Sequence, residues 1–273
     1  MARPFTVLGV DFTSAPRPRK PITVARGRLV GAFVLDAIDA LPDWPSFEQL
    51  LATPGPWIAG FDFPFGLPRE AVRDLGWPLD WRGLVGHCAT MGRAAFRQAL
   101  DAYRASRPPG NKYPHRVTDL PARSHSPIKL VNPPVALMFL EGTARLAGAG
   151  VTIPGLAVGD PVRVAVEAYP GLAARAIVSA SYKSDEARKQ TPQRRVARLA
   201  IVRRLARGEG SFGFRLDVAP ALARSIADDP TGDRVDAVLA AMQAAWCLRR
   251  RGRNYGLPDA IDPIEGWIAT ARP

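Results

Sequence analysis

Three acidic residues stand alone in apolar, strand-like segments: Asp11 in LGVDFT, Asp62 in GFDFPFG and Glu167 in VAVEAYP. An ionised carboxylate in apolar surroundings is strongly unfavourable without a cation or hydrogen-bond donors. For any one of the three, a salt bridge to an arginine would suffice. Three such strands side by side would instead crowd their carboxylates, and a divalent cation relieves that repulsion. Hard oxygen donors suit Mg²⁺ or Mn²⁺. A fourth component lies in DDPTGDRVDAVLAAMQAAW, residues 228–246, where Pro230 and Thr231 suit the first positions of a helix. Val235, Val238, Leu239, Met242 and Trp246 form its apolar face. Asp233, Ala237, Ala240 and Ala244 form an adjoining stripe of small side chains, with Asp236 beside its start. Small residues let a helix approach a sheet closely, which would bring both aspartates to the strand acids. Asp233 alone is accounted for by the helix dipole, typically worth about 0.3–1 kcal/mol. Asp236 has a like charge three residues away, which is mildly destabilising, so something must offset it.

The elements that must position these acids are legible in outline. FTVLGVDFT (5–13) alternates as a strand, and PITVARGRLVGAFVL (21–35) reads as two antiparallel strands with a tight turn near Arg26–Gly27. SFEQLLA (46–52) is a short helix with Ser46 as its N-cap. PWIAGFDF (56–63) is a continuous apolar strand of the kind buried on both faces. Residues 69–105 have helical periodicity, strongest in MGRAAFRQALDAYRASR. A Pro-rich basic loop, 107–134, has no period, and a loop of that length inside a compact domain is usually functional. A helix over 135–150 and a strand over 162–170 follow. Helices are then expected at roughly 171–180, 185–207, 218–228 and 231–250. No repeat and no dividing linker is visible, so residues 1–273 read as one α/β domain with extra helical insertions.

Composition narrows the function classes. The 273 residues carry 37 basic and 25 acidic side chains, a formal charge of +12, which favours a polyanionic partner such as nucleic acid or a nucleotide. Of the basic residues 32 are arginines, a bias that a GC-rich genome also produces. No apolar run approaches the length of a membrane span, and MARPFTVLGVDF lacks the pattern of a signal peptide. Only Cys88 and Cys247 occur, too few for a disulfide framework and too far apart for a zinc pattern. A cytoplasmic protein is expected. No Ser–His–Asp pattern suits acyl hydrolysis: RGLVGHCAT has no serine at a strand–turn–helix elbow. His87 in that stretch reads as structural.

The ordered set VLGVDFTSAP, GFDFPFGLP, SPIKLVNPP, VEAYP and GDRVDAVLAAMQAAW resembles domain-of-unknown-function family 429 (DUF429), regarded as predicted nucleases of ribonuclease-H-like fold. The resemblance runs from about residue 6 to residue 247. It implies a mixed five-stranded sheet, the first three strands antiparallel, with helices on both faces. It also implies that the first strand, the fourth strand and the last core helix supply the acids. By position these are Asp11, Asp62, and Asp233 with Asp236, as Mg²⁺ or Mn²⁺ ligands, while Glu167 matches the family's own VE-x-YP element and joins them as a catalytic candidate. The implied chemistry is two-metal phosphodiester hydrolysis, with ions about 3.5–4 Å apart and Asp11 as the bridge.

The 107–134 loop would then be the place for substrate contacts. It carries Lys112, His115, Arg116, Arg123, His125 and Lys129 against one acid, Asp119. Basic side chains beside a metal site suit phosphates, and Tyr113 suits stacking on a base. Lys129, inside SPIKLVNPP, is the foremost of these, followed by Arg123, His125 and Lys112. The basic helix 187–208, with Val196, Leu199, Val202 and Leu205 on its buried side, offers a further nucleic-acid handle. LRRRGRN (248–254) reads as a helix end, where cations suit the dipole. The alternative to a nuclease is a ribonuclease-H-like binding module without turnover. A phosphotransferase of actin-like architecture would want Gly-rich phosphate loops, which GVDFTSAP lacks.

Overall fold

A computed structural model describes residues 4–184 and 186–272. The chain opens with β1 (Thr6–Asp11), β2 (Ile22–Val30) and β3 (Ala32–Leu41), then α1 (Trp44–Ala52) and β4 (Trp57–Phe61). Next come α2 (Arg69–Asp74), α3 (Trp81–Ser106), the single turn α4 (Asp119–Ala122) and α5 (Val135–Ala149). They are followed by β5 (Val151–Thr152), β6 (Asp160–Glu167), α6 (Pro170–Arg175) and α7 (Pro192–Ala206). The last part holds β7 (Leu216–Val218), α8 (Pro220–Asp228) and α9 (Asp233–Leu248). Among the described residues no helix is long and apolar enough to cross a membrane.

The sheet is mixed and has seven strands in the order β5-β6-β4-β1-β2-β3-β7. The expected antiparallel pairing of the first three strands is present, and β4 and β6 add in parallel. The expected count of five is corrected to seven by β5 and β7, two short strands that pair at opposite edges. Each is three residues or fewer, too short for alternation to mark it in the sequence.

Strand alternation sorts the side chains onto two cores. Leu8, Val10, Trp57, Ala59 and Phe61 face α1, α3 and α5, while Val7 and Ile58 face α6, α7 and α9. Continuing that period of two puts Asp11 and Asp62 on the α9 side and sends Phe61, Phe63 and Phe65 to the other. The acid between phenylalanines in GFDFPFG is thus the outward partner of an aromatic cluster, with Phe61 and Phe63 centroids 5.7 Å apart.

Helix α9 lies directly on β1 and β4. Gly9 and Gly60 are register partners, and a Cβ on Gly9 would stand 2.1 Å from the Ala237 carbonyl oxygen. A Cβ on Gly60 would stand 2.4 Å from that of Ala240. The small-residue stripe expected on the helix therefore meets a glycine pair on the sheet.

Several boundaries differ from expectation for local reasons. The β2–β3 turn falls at Gly31, φ +70°, and Arg26/Gly27 is instead a bulge within the pair. Asp43, not Ser46, caps α1, its carboxylate accepting from the Ser46 N–H at 2.9 Å. The helix expected over 69–105 is broken into α2 and α3, and α3 kinks at Gly92, φ +74°. Helix α6 spans only six residues, so 176–180 is not helical. The basic helix starts at Pro192, and its buried side is Ala197, Arg198, Ile201, Val202 and Leu205, leaving Val196 exposed.

The glycine contacts make a testable claim. Gly9→Ala forces backbone apart and should cost about 3 kcal/mol, whereas Gly86→Ala, in an open stretch of α3, should be neutral or stabilising by up to about 1 kcal/mol. Urea denaturation of the two variants checks this.

Candidate metal centre

Asp11 closes β1, and Asp62 follows β4, its N–H donating to the Val10 carbonyl at 2.9 Å. Asp236 sits in the first turn of α9, which the glycine pair holds against both strands. The carboxylates of Asp11, Asp62 and Asp236 offer oxygens within 4.8 Å of one another. Three elements far apart in the chain thus deliver three acids to one point, as the sequence predicts.

The other two predicted acids fare differently. Asp233 lines the same cavity, but it does not join the set within 4.8 Å, so its expected place as a ligand alongside the other three is corrected to a flanking one. Glu167 also lines the cavity at the end of β6, but it follows Val164 and Val166, and alternation turns it to the sheet face opposite Asp11 and Asp62. Both its oxygens are engaged. Arg116 donates from Nη2 to Oε1 at 2.6 Å and from Nη1 to Oε2 at 2.8 Å, and the Phe65 N–H donates to Oε2 at 2.9 Å. Glu167 is therefore a structural partner of Arg116, and the expectation of a catalytic Glu167 is corrected.

The 107–134 loop is likewise reassigned. Arg116 and Asp119 are fully buried and paired at 2.9 Å, tying the loop to β6. Burial opposes the Arg116 charge, and Glu167 and Asp119 more than offset it. The Val117 N–H donates to Glu265 and Ser126 donates to the Pro114 carbonyl, so the segment is packed rather than free. Of the four expected substrate-binding residues only His125 lines the cavity. Lys112 and Arg123 are exposed elsewhere, and Lys129 donates to the Asn132 carbonyl at 2.6 Å. Tyr113 takes a hydrogen bond from Arg104, whose guanidinium lies 5.4 Å from its ring centre.

Two residues of the site left no period or motif to find them by. Tyr182 donates from its hydroxyl to Asp236 Oδ1 at 2.5 Å, and the Lys183 ammonium bonds Asp236 Oδ2. They sit in the irregular segment after α6. Two arginines of α7 fix its backbone: Arg198 donates to the Tyr182 carbonyl at 2.7 Å and Arg194 to the Lys183 carbonyl at 2.8 Å. That use of Arg194 and Arg198 removes them from the expected nucleic-acid handle.

The cavity beside the acids has a volume of about 1100 Å³. Asp11, Asp62 and Asp233 line its floor, and Arg17, Lys20 and Arg175 are among the cations around it. None of the described hydrogen bonds or ion pairs engages the carboxylates of Asp11 or Asp62. Burial, then Asp233 and Asp236, push Asp11 well above the ordinary carboxylate range. Burial foremost, opposed by Lys183 and reinforced by Asp236, Glu167 and Asp233, pushes Asp62 up to about 7. Asp233 is raised by burial and by Asp229. Burial works against the Lys183 ammonium, but Asp236, Tyr182, Asp11 and Asp62 outweigh it and hold it charged. Among the described ion pairs one, Lys183 with Asp236, reaches these four acids. The donor set, hard oxygens with two carboxylates that no described hydrogen bond or ion pair engages, fits a divalent cation. Cys88 and Cys247 are buried and free, and burial pushes each thiol up to about 12, so neither supplies a thiolate.

The family model described as a protein of unknown function (DUF429) matches residues 9–262. The chain belongs to that family. Searches of curated proteins and of solved structures returned no match. The matched span contains Asp11, Asp62, Asp233 and Asp236.

Protonation of Asp62 has a measurable consequence. With its folded value near 7 against an ordinary 3.8, the folded metal-free chain holds more protons than the unfolded chain between those values. Stability should therefore fall as pH rises through that window. Denaturation midpoints in EDTA should show this slope, and Asp62→Asn should flatten it. Arg116→Met should leave Glu167 and Asp119 buried without their cation and cost about 3–5 kcal/mol, read by urea denaturation.

Proposed function

We propose that this protein is a metal-dependent phosphodiester hydrolase, a nuclease of ribonuclease-H-like architecture. The observation that carries the reading is the convergence of Asp11, Asp62 and Asp236 within 4.8 Å, at the ends of two adjacent parallel strands and the start of one helix. The order β3-β2-β1-β4-β6 inside the larger sheet supports it, since the first three strands are antiparallel and the acids come from the first strand, the fourth strand and the last long helix.

Asp11, Asp62 and Asp236 would hold Mg²⁺ or Mn²⁺, with Asp233 flanking Asp11. When bound, a pair of such ions supplies an activated water and stabilises the departing oxygen of an in-line displacement. The chain itself orients and recognises. Tyr182 fixes Asp236 through the 2.5 Å hydrogen bond. Arg17, Lys20 and Arg175 line the cavity with positive charge, a pattern that admits a phosphate backbone while the acids repel one, and His125, held neutral by burial, adds a hydrogen-bonding group. The net charge of +12 favours the same partner, a nucleic acid or nucleotide.

The second reading, a binding module without turnover, draws support from Lys183. Its ammonium already sits on Asp236, as in a site whose charge is balanced internally. Cleavage assays separate the two. The wild-type protein should cut at least one of single-stranded RNA, DNA and hybrid substrates with Mn²⁺, and Asp11→Asn should lower the rate by at least about a hundredfold with an unchanged fold by circular dichroism. A wild-type protein inert on the whole panel would favour the binding module.

A further inference from the structure

We propose that Lys183 is an exchangeable counter-cation, which stands in for positive charge at the acidic centre and leaves Asp236 when a divalent cation arrives. The inference rests on the metal-site reading above and assigns a role to a residue outside the acidic set.

The placement of Asp236 motivates it. Asp236 is wholly buried and does not line the cavity, whereas Lys183 and Tyr182 do. Its two oxygens are both occupied, Oδ1 by Tyr182 and Oδ2 by Lys183. A cation approaching from the cavity meets Asp11 and Asp62 directly but reaches Asp236 Oδ2 only after the ammonium has moved aside.

The surroundings of Lys183 allow that movement. Its side chain as a whole is 46% exposed although its partner is 0% exposed and burial acts on the ammonium itself, so the stem runs in from the solvent side and only its charged tip is enclosed. Its backbone, in contrast, is pinned. Arg194 holds its carbonyl, Arg198 holds the preceding one, and its Cβ rests against Gly232, where an added Cβ would come within 2.5 Å. A fixed backbone under a flexible four-carbon stem permits the ammonium to swing without disturbing the fold.

The Arg116–Glu167 pair in the same cavity wall shows the opposite design. Both partners are almost completely buried and joined by two parallel hydrogen bonds, and a third donor completes the carboxylate. An arginine fork suits a permanent bond, while a lysine makes a single point contact. The protein places an arginine on the acid that turns away from the centre and a lysine on the acid that belongs to it.

Mn²⁺ titration calorimetry and lysine labelling test the exchange. Lys183→Met keeps the stem and removes the competing charge, so it should bind Mn²⁺ about tenfold more tightly than wild type. If Lys183 merely props Asp236 in place, the same variant should bind as wild type does or more weakly, which overturns the proposal. The second measurement uses unaltered protein. Limited acetylation read by mass spectrometry should label Lys183 several-fold faster in saturating Mg²⁺ than in EDTA, with exposed Lys112 as the internal reference. Labelling of Lys183 that does not respond to Mg²⁺, in a protein that binds the ion, also overturns it, and this holds should Lys183→Met fail to fold. Absence of Mn²⁺ binding in both wild type and variant would instead defeat the metal-site reading, and this proposal with it.

Discussion

Backbone contact between α9 and the sheet is the constraint on which the site depends. Gly9 and Gly60, side by side in adjacent strands, leave no side chain between the sheet and the carbonyls of Ala237 and Ala240. The helix can therefore lie at backbone distance, and Asp236, one turn before Ala240, reaches the strand ends that carry Asp11 and Asp62. A larger residue at either glycine would lift α9 and part the acids. Close packing and the concentration of negative charge are two results of one contact.

That concentration is opposed by burial and by mutual repulsion, and the protein manages it unevenly. Glu167, Arg116 and Asp119 form a closed network on the other face, where every charge has a partner and the network anchors the Pro-rich loop to β6. Around Asp11 and Asp62 the compensation is incomplete, with Lys183 on Asp236 the one described ion pair among four acids and both carboxyl pKa values raised. Complete satisfaction marks a structural network, and the cluster beside the cavity differs from it in being only partly compensated.

The arginine-rich surface divides in a similar way. Arg194 and Arg198, on a helix that composition alone paints as a nucleic-acid handle, are spent on backbone carbonyls of the segment bearing Tyr182 and Lys183. Arg17 and Arg175 line the cavity, although Arg175 also donates to the Ala122 carbonyl. A charge total reports none of this partition, because it counts side chains without their neighbours.

The sequence by itself determined the α/β class, the antiparallel start, the long elements and a pool of five candidate acids, Asp11, Asp62, Glu167, Asp233 and Asp236, from which the structure draws Asp11, Asp62 and Asp236 together. Each follows from local rules: alternation along a strand, small residues at helical spacing, and the cost of a lone acid in an apolar run. Only the tertiary structure decided that Glu167 turns away, since its face depends on which residues of β6 pair inward and on Arg116 from a loop 51 residues earlier. Tyr182 and Lys183 lay equally beyond reach, because an irregular segment has no period and its position is set by long-range bonds from α7. The edge strands β5 and β7 complete the list, being too short to carry a pattern and defined only by the partners they pair with.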